Sequence, residues 1–381
     1  MEFSWTKEQE SLAAEVLAFA KAELQDDVVR RDAEGTFGDT LWKKAADFGV
    51  LGWAVPREHG GAGHDLVTAT RLLEVLGEGC RDNGLTFGLG AQMWGVQTAL
   101  LHFGTPEQIA RFLPGSISGE ILTAYCMTEE GSGSDAFGLA GTAFRDGDHY
   151  VINAEKVLIT FGPIAKTAIV FAKTNPDAGR WGISAFLVDA SAPGYQAHPV
   201  EAKMGLRTIP FGRVTLKDVR VPVDQLLGKE GAGASIFTFS QGWERSLVLA
   251  PQLGAMQRQI DDCVAFARRR KRDGKSIAKH QAISHRVADM KLRLETGRLL
   301  LYKTAWLQQN GQPNLMEAAL TKTYLAETFR DSAMSAIAIH GGDGYKTATE
   351  VERDLRDAVG GLIYGGTTDI QRNIVAGLLG L

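Results

Sequence analysis

Cysteine is scarce. Cys80, Cys126 and Cys263 are scattered over 381 residues, too few and too widely spaced for a disulfide framework. They suit a reducing cytoplasm, where each would pack as a small apolar group. Long apolar runs are missing as well, so no segment is expected to cross a membrane. The opening stretch, "MEFSWTKEQE", has no apolar core and reads as neither a signal nor a transit peptide. An excess of one charge is also lacking. With a net charge of -4 and 23% charged residues, nothing points to nucleic acid or an anionic membrane as the main partner. The eight histidines show no metal-ligand spacing, and His280 and His285 form a lone pair. No metal is expected.

What the chain does contain is a change of texture. Residues 1–121 read as a helical domain. Thr6 and Gln9 have capping-box spacing ahead of "SLAAEVLAFAKAEL". Residues 122–228 carry short β-rich runs ("HYVINAEKVLI", "TAIVFAKT", "GISAFLVDA", "GRVTLKDVRV") separated by the turns "RDGD", "NPDAG" and "DASAPG", which suggests a small antiparallel domain. Over 229–381 the helical period returns, with Ile260, Cys263, Val264 and Ala267 on one apolar face and Met290, Leu294 and Leu301 on another. Strands and helices do not alternate, which argues against a Rossmann sheet.

Taken singly, the motifs are ambiguous. "RRRKRDGKSI" has Arg269 where a phosphate loop needs its first glycine, so that reading fails. Its basic residues read best as a solvated helix end, or as an arginine pairing with a cofactor diphosphate. "YCMTEEGSGSD" (125–135) is either a turn of small residues or a cradle of N–H and hydroxyl groups for a polar ring edge or phosphate. "AIHGGDGY" (338–345) either ends a helix or lets a ligand approach the backbone. "IYGGTTDIQ" (363–371) reads alone as a glycine turn before a last helix, and "ER" at 244–245 as a surface ion pair.

Their order is more telling than any one of them. "CMTEEGSGSD", "KMGLRTIPFGRVTLKDVRVPVDQLLGKEGAG", "RKRDGKSIAKHQAISHRVADM", "IHGGDGY" and "IYGGTTDIQRNIVAGLL" together resemble the flavin loop, β-domain closure, helix pair and two C-terminal motifs of the acyl-CoA dehydrogenase family. The resemblance spans nearly the whole chain and is closest in pattern to the branch acting on carrier-protein-bound groups. It implies a mainly α fold with a central antiparallel β domain and a C-terminal four-helix bundle. It also implies FAD, an acyl thioester on carrier protein or CoA, and α,β-dehydrogenation.

Residue by residue, the resemblance assigns FAD contacts to Tyr125, Met127, Thr128 and Ser134, to Leu158, Ile159 and Thr160, to His340, Gly341 and Gly342, and to Thr367 and Asp369. Arg270 and Gln281 would reach FAD from a neighbouring subunit, so a dimer or tetramer is expected. Ser134, Arg245 and Gly366 would contact substrate. Most relatives carry the catalytic glutamate at the position of Gly365, whose N–H would still bond the thioester carbonyl. The vacancy points to Glu244 as base, as in the isovaleryl- and long-chain-type enzymes.

Several positions depart from the family pattern. Asp273 and Arg272 replace a phenylalanine and a glutamine, and Ala338 replaces a glutamine. Leu158 and Phe161 replace a tryptophan and an asparagine, and Glu130 a proline. Three functional readings follow. One is a dehydrogenase passing electrons to an electron-transfer flavoprotein or another acceptor. The second is an oxidase of a carrier-tethered amino acid such as proline. The third is a flavin-free protein on the same scaffold.

Overall fold

The computed structural model describes residues 4–381. The first helix starts where the capping box predicts. Thr6 Oγ1 accepts from Gln9 N at 3.2 Å and Gln9 Oε1 accepts from Thr6 N at 3.0 Å, together satisfying two otherwise free N–H donors. Helices α1 (Lys7–Glu23), α2 (Val28–Glu34), α3 (Asp39–Asp47), α4 (Leu66–Gly79), α5 (Asn83–Gly90), α6 (Thr98–Phe103) and α7 (Pro106–Ile117) make up the N-terminal part. Between α5 and α6 the chain winds as a π-helix over Ala91–Gln97, a geometry often found at functional sites.

Strands β1 (Thr123–Cys126), β2 (Thr142–Asp146), β3 (His149–Thr160), β4 (Thr167–Lys173), β5 (Ile183–Asp189), β6 (Tyr195–Ala197), β7 (Phe211–Pro222) and β8 (Leu226–Leu227) form one sheet in the order β6-β7-β3-β2-β4-β5-β8. The expected antiparallel sheet is in fact mixed. β1 runs parallel to β4, and β2 meets β4 in parallel through Thr142 and Lys173. Parallel pairing needs a long crossover rather than a hairpin, and the two strands and loops between β1 and β4 supply it. β4 also explains its own unbroken apolar run. Ala168, Val170 and Ala172 face one core while Ile169 and Phe171 face the other, beneath the helices.

The C-terminal part comprises α8 (Gly233–Leu247), α9 (Ala250–Arg269), a small hairpin of β9 (Lys271–Arg272) and β10 (Lys275–Ser276), α10 (Gln281–Gln309), α11 (Leu315–His340), α12 (Val351–Gly361) and α13 (Thr368–Leu378). The basic stretch is thus more than a solvated helix end. Asp273 and Gly274, at φ 50° and 79°, turn it as a two-residue hairpin, for which Asp-Gly is a favoured pair. Helix α12 is clamped by buried polar groups. Asp354 accepts from Asn83 at 2.8 Å, Gln259 at 3.0 Å and Arg258 at 3.2 Å, while Asp357 accepts from Asn83 at 2.9 Å and from the Leu206 N–H at 2.5 Å. One helix therefore holds α5, α9 and the loop before β7 together.

A second buried charge fixes the 125–135 segment. The Lys156 ammonium is fully buried and donates to Glu129 Oε1 at 2.8 Å, the Phe171 carbonyl at 2.7 Å and the Met127 carbonyl at 3.2 Å. Glu129 in turn accepts from the N–H groups of Ala140 and Gly141 at 2.5 and 3.0 Å. Burial pulls the Lys156 pKa down and Glu129 pulls it back up. Removing one partner of such a pair typically costs about 3–5 kcal/mol because it strands the other charge. Lys156→Met should lower unfolding stability by about that amount in a denaturant titration, and adding Glu129→Gln should recover part of it.

Candidate active site

Helix α8 carries Glu244 to the π-helical turn. A β-carbon on Gly95 would lie 3.5 Å from Glu244 Oε2, so the carboxylate fits against a residue without a side chain. Gln241, one turn earlier, donates to that same oxygen at 2.8 Å. Burial pushes the Glu244 carboxyl up to about 7, against the opposing effects of Arg245 and of the Gln241 bond. The charge also reaches Tyr125 and Tyr364, two phenols that burial has already raised. "ER" is therefore not a surface pair. Arg245 is largely enclosed, and its Nε has no hydrogen-bond partner in the protein. Burial lowers its pKa and Glu244 raises it.

Gly365 faces the same stretch of α8. Its missing β-carbon would sit 4.0 Å from the Arg245 Cα and meet nothing nearer. Gly365 and Gly366 run at φ 64° and 83°, where an L side chain costs about 1–2 kcal/mol. Gln371, from α13, donates through Nε2 to the carbonyls of both glycines at 3.1 and 3.0 Å. Thr367 caps α13, accepting from Ile370 N at 3.2 Å. Asp369 is exposed in that helix's first turn, 3.5 Å from Arg372.

On or close to α8, Trp94 Nε1, Trp243 Nε1 and Ser246 Oγ are buried without a protein partner, while Tyr125 Oη lies by Ser240 and within reach of the Glu244 charge. Buried polar atoms are nearly always paired, so this group marks a place for polar ligand atoms. Trp94 and Trp243 stack at 6.2 Å, and His102, Phe239 and Phe103 extend the aromatic wall. Trp94, His102 and Phe103 lie in the apolar "AQMWGVQTALLHF", which is indistinguishable from core by pattern alone, while Trp243 belongs to "GWER", a stretch that resembles the carrier-protein branch.

The residues expected to hold FAD fall into two groups. The first lies on and beside the sheet, with Tyr125 within reach of the Glu244 charge. Tyr125 is the third residue of β1, Thr128 accepts from Val157 N at 3.0 Å through its carbonyl, and Ser134 is exposed. Met127 is buried at its side chain. Leu158 sits at a β3 bulge before Ile159 and Thr160, at φ 60° and 54% exposed, an unusual conformation for a branched apolar residue. The exposed Leu158 on its bulge and the exposed hydroxyls and N–H groups of the 128–134 loop fit an aromatic ring system bearing polar edges. These residues suit FAD.

The second group lies elsewhere in the same chain. Lys322 of α11 feels the Arg245 charge. His340 stands eighteen residues further along that helix, about 27 Å away at a rise of about 1.5 Å per residue. Gly341 and Gly342 are exposed there, Phe266 packs on His340 at 4.2 Å, and the Arg270 charge reaches Asp343. Arg270 and Gln281 are exposed. One chain does not bring this group to Glu244. Asp273, at the tip of its exposed hairpin, is paired with Arg272 at 3.5 Å.

Comparison with known proteins agrees along the whole length. Residues 6–120, 124–219 and 231–379 match the N-terminal, middle and C-terminal domains of acyl-CoA dehydrogenase. An L-prolyl-[peptidyl-carrier protein] dehydrogenase of a Serratia species is 34% identical, covering 100% of this chain and 99% of the relative. The solved prolyl acyl carrier protein oxidase AnaB superposes with a TM-score of 0.98 at 39% identity, covering 99% of this chain and 100% of that one. PigA, solved with FAD and proline, gives 0.97 at 34%, with both chains fully covered. The chain belongs to the acyl-CoA dehydrogenase family.

Proposed function

We propose that this protein is an FAD-dependent oxidoreductase that removes two hydrogens from Cα and Cβ of an acyl thioester held on a carrier protein or CoA, in a biosynthetic pathway. The observation that carries the proposal is Glu244, a buried carboxylate with a pKa near neutrality, facing a turn that has no carboxylate of its own. In this reading Tyr125, Thr128, Ser134, the 158–160 bulge and the start of α13 hold FAD. When bound, the flavin supplies the acceptor for the β-hydride. Glu244 takes the α-proton, and the Gly365 N–H bonds the thioester oxygen as charge develops on it. Ser134, Arg245 and Gly366 line the path of the thioester.

A carrier-tethered prolyl group is the second reading. The Glu244 carboxylate and the Tyr125 hydroxyl favour it, since both can accept from the ring nitrogen of a prolyl group, which a plain alkyl chain lacks. AnaB and PigA, among the similar structures, are associated with proline. Hydrogen peroxide formed with prolyl-loaded carrier protein, and none with acyl-CoA, would select it. Electron transfer from acyl-CoA to an electron-transfer flavoprotein would select the other. No helix among the described residues is long and apolar enough to cross a membrane, and a cytoplasmic location accords with three buried thiols without disulfides.

Glu244→Gln should retain FAD and slow flavin reduction by about 10²–10⁴-fold, the usual loss on removing a positioned base. A base must be unprotonated to act. Flavin reduction by substrate should therefore rise with pH through about 7 in the wild type and lose that step in Glu244→Gln. Wild-type reduction rates in Glu244→Gln would exclude it as base. Gly365→Glu in the Glu244→Gln background should restore at most a fraction of activity, because the new side chain must tolerate φ 64°.

The second group of cofactor residues calls for a neighbouring subunit, and helix α10 offers a surface for one. Leu292, Leu299 and Trp306 are exposed at heptad spacing, with Met334 exposed on α11. Purified protein should run as a dimer or tetramer with one FAD per subunit. Leu292→Lys with Leu299→Lys should lower both the mass measured by light scattering and the flavin content. A yellow monomer of full FAD content would refute the shared site.

A further inference from the structure

Beside the Tyr364–Gly366 turn lies a small, partly enclosed cavity of about 10 Å³, with Asn83, Gln252, Asp357 and Tyr364 in its wall. That volume is about the room one water requires. The polar wall is incompletely paired. Gln252 donates through Nε2 to Tyr364 Oη at 2.7 Å, while Gln252 Oε1 is buried without a partner. Exchanging the amide oxygen and nitrogen would move the orphaned atom without removing it. Asp357 takes one bond on each carboxylate oxygen, from the Leu206 N–H and Asn83 Nδ2, and each oxygen has capacity for another. A dry cavity would leave a buried amide atom unpaired beside a buried carboxylate, and native structures rarely tolerate that.

We propose that this cavity holds one structural water bridging the Gln252 amide and the Asp357 carboxylate beside the Tyr364 hydroxyl, and that Asp357 and Gln252 thereby position the turn that presents the Gly365 N–H. Tyr364 is the lever. Its ring packs on Phe87 at 4.6 Å and against Gly360 and Gly361, and Gly365 is its direct neighbour in the chain. Fixing the phenol from behind fixes the amide in front. Burial raises Asp357 to about 6, in keeping with a carboxylate that needs every partner available. Helix α12, through Asp357, thus acts on the reacting carbonyl without touching it.

The structural half of this proposal rests on the cavity alone, and the kinetic half on the proposed dehydrogenation. A high-resolution crystal structure of the FAD-loaded protein should show one water within about 3 Å of both Gln252 and Asp357. A dry cavity, or Gln252 bonded directly to Asp357, would overturn it. Gln252→Met removes both amide atoms at similar volume. It should lower kcat about 10-fold, in line with misplacement of a reacting group, with FAD content and KM little changed. Tyr364→Phe should behave alike, and the double variant should lose no more than either single one, since both act through one water. Wild-type kcat in Gln252→Met, or full additivity, would remove the positioning role. A wild-type protein that oxidises no thioester would sink the proposed reaction instead, and the electron density would still decide the water.

Discussion

At Gly365 and Gly366 the backbone holds φ 64° and 83°, and the turn joining α12 to α13 depends on that conformation. Gln371 grips both carbonyls from the α13 side, so the turn is held by hydrogen bonds rather than by side-chain packing. The space where a β-carbon would stand opens toward Arg245 on α8. Leaving 365 bare relieves the turn of left-handed strain and frees room beside α8. In the proposed reaction the carboxylate that takes the proton is Glu244, which α8 brings from the opposite wall. The amide donor and the base then come from two different elements, and their relative placement depends on how α8 packs against the α12–α13 turn.

That packing is made of charges as much as of apolar area. Glu244 sits between burial, which favours its neutral form, and Arg245 with Gln241, which favour its charged form. The balance near neutrality is what general-base catalysis needs, and the π-helical turn at Gly95 closes over one carboxylate oxygen. Neighbouring Lys322 is fully buried on α11 and pushed down to about 8 by burial and by Arg245.

The architecture was legible in the sequence because its signals were local. The capping box at Thr6, the period-2 runs of the sheet and the apolar faces of α9 and α10 all act within a few residues. The Glu244–Gly365 assignment rests on the family resemblance, in which a vacant position in one motif points to a carboxylate in another, and the fold sets Gly365 against the α8 stretch that carries that carboxylate. What escaped was long-range or disguised. β1 pairs with β4 through a crossover that no short window contains. Lys156 reads as an outward charge in "NAEKVLI", yet three acceptors far apart in sequence close around it. Asp273-Gly274 was a hairpin signal hidden inside a basic run. Of the residues assigned to FAD, Met127 has its side chain in the core and only its carbonyl engaged, a distinction between backbone and side chain that a motif does not carry.

The length of α11 imposes a final constraint. One end of this helix lies against the Arg245 region and the other ends at His340 and the exposed glycines. A rigid helix keeps Lys322, beside Arg245, about 27 Å from His340, so a chain cannot fold its own 340–342 segment onto its own Glu244. Either the second group of residues has no part in cofactor binding, or it serves the site of another copy. The exposed Leu292, Leu299 and Trp306 on α10 offer a surface for that copy, and in the proposed assembly loss of the interface and loss of the flavin are one event.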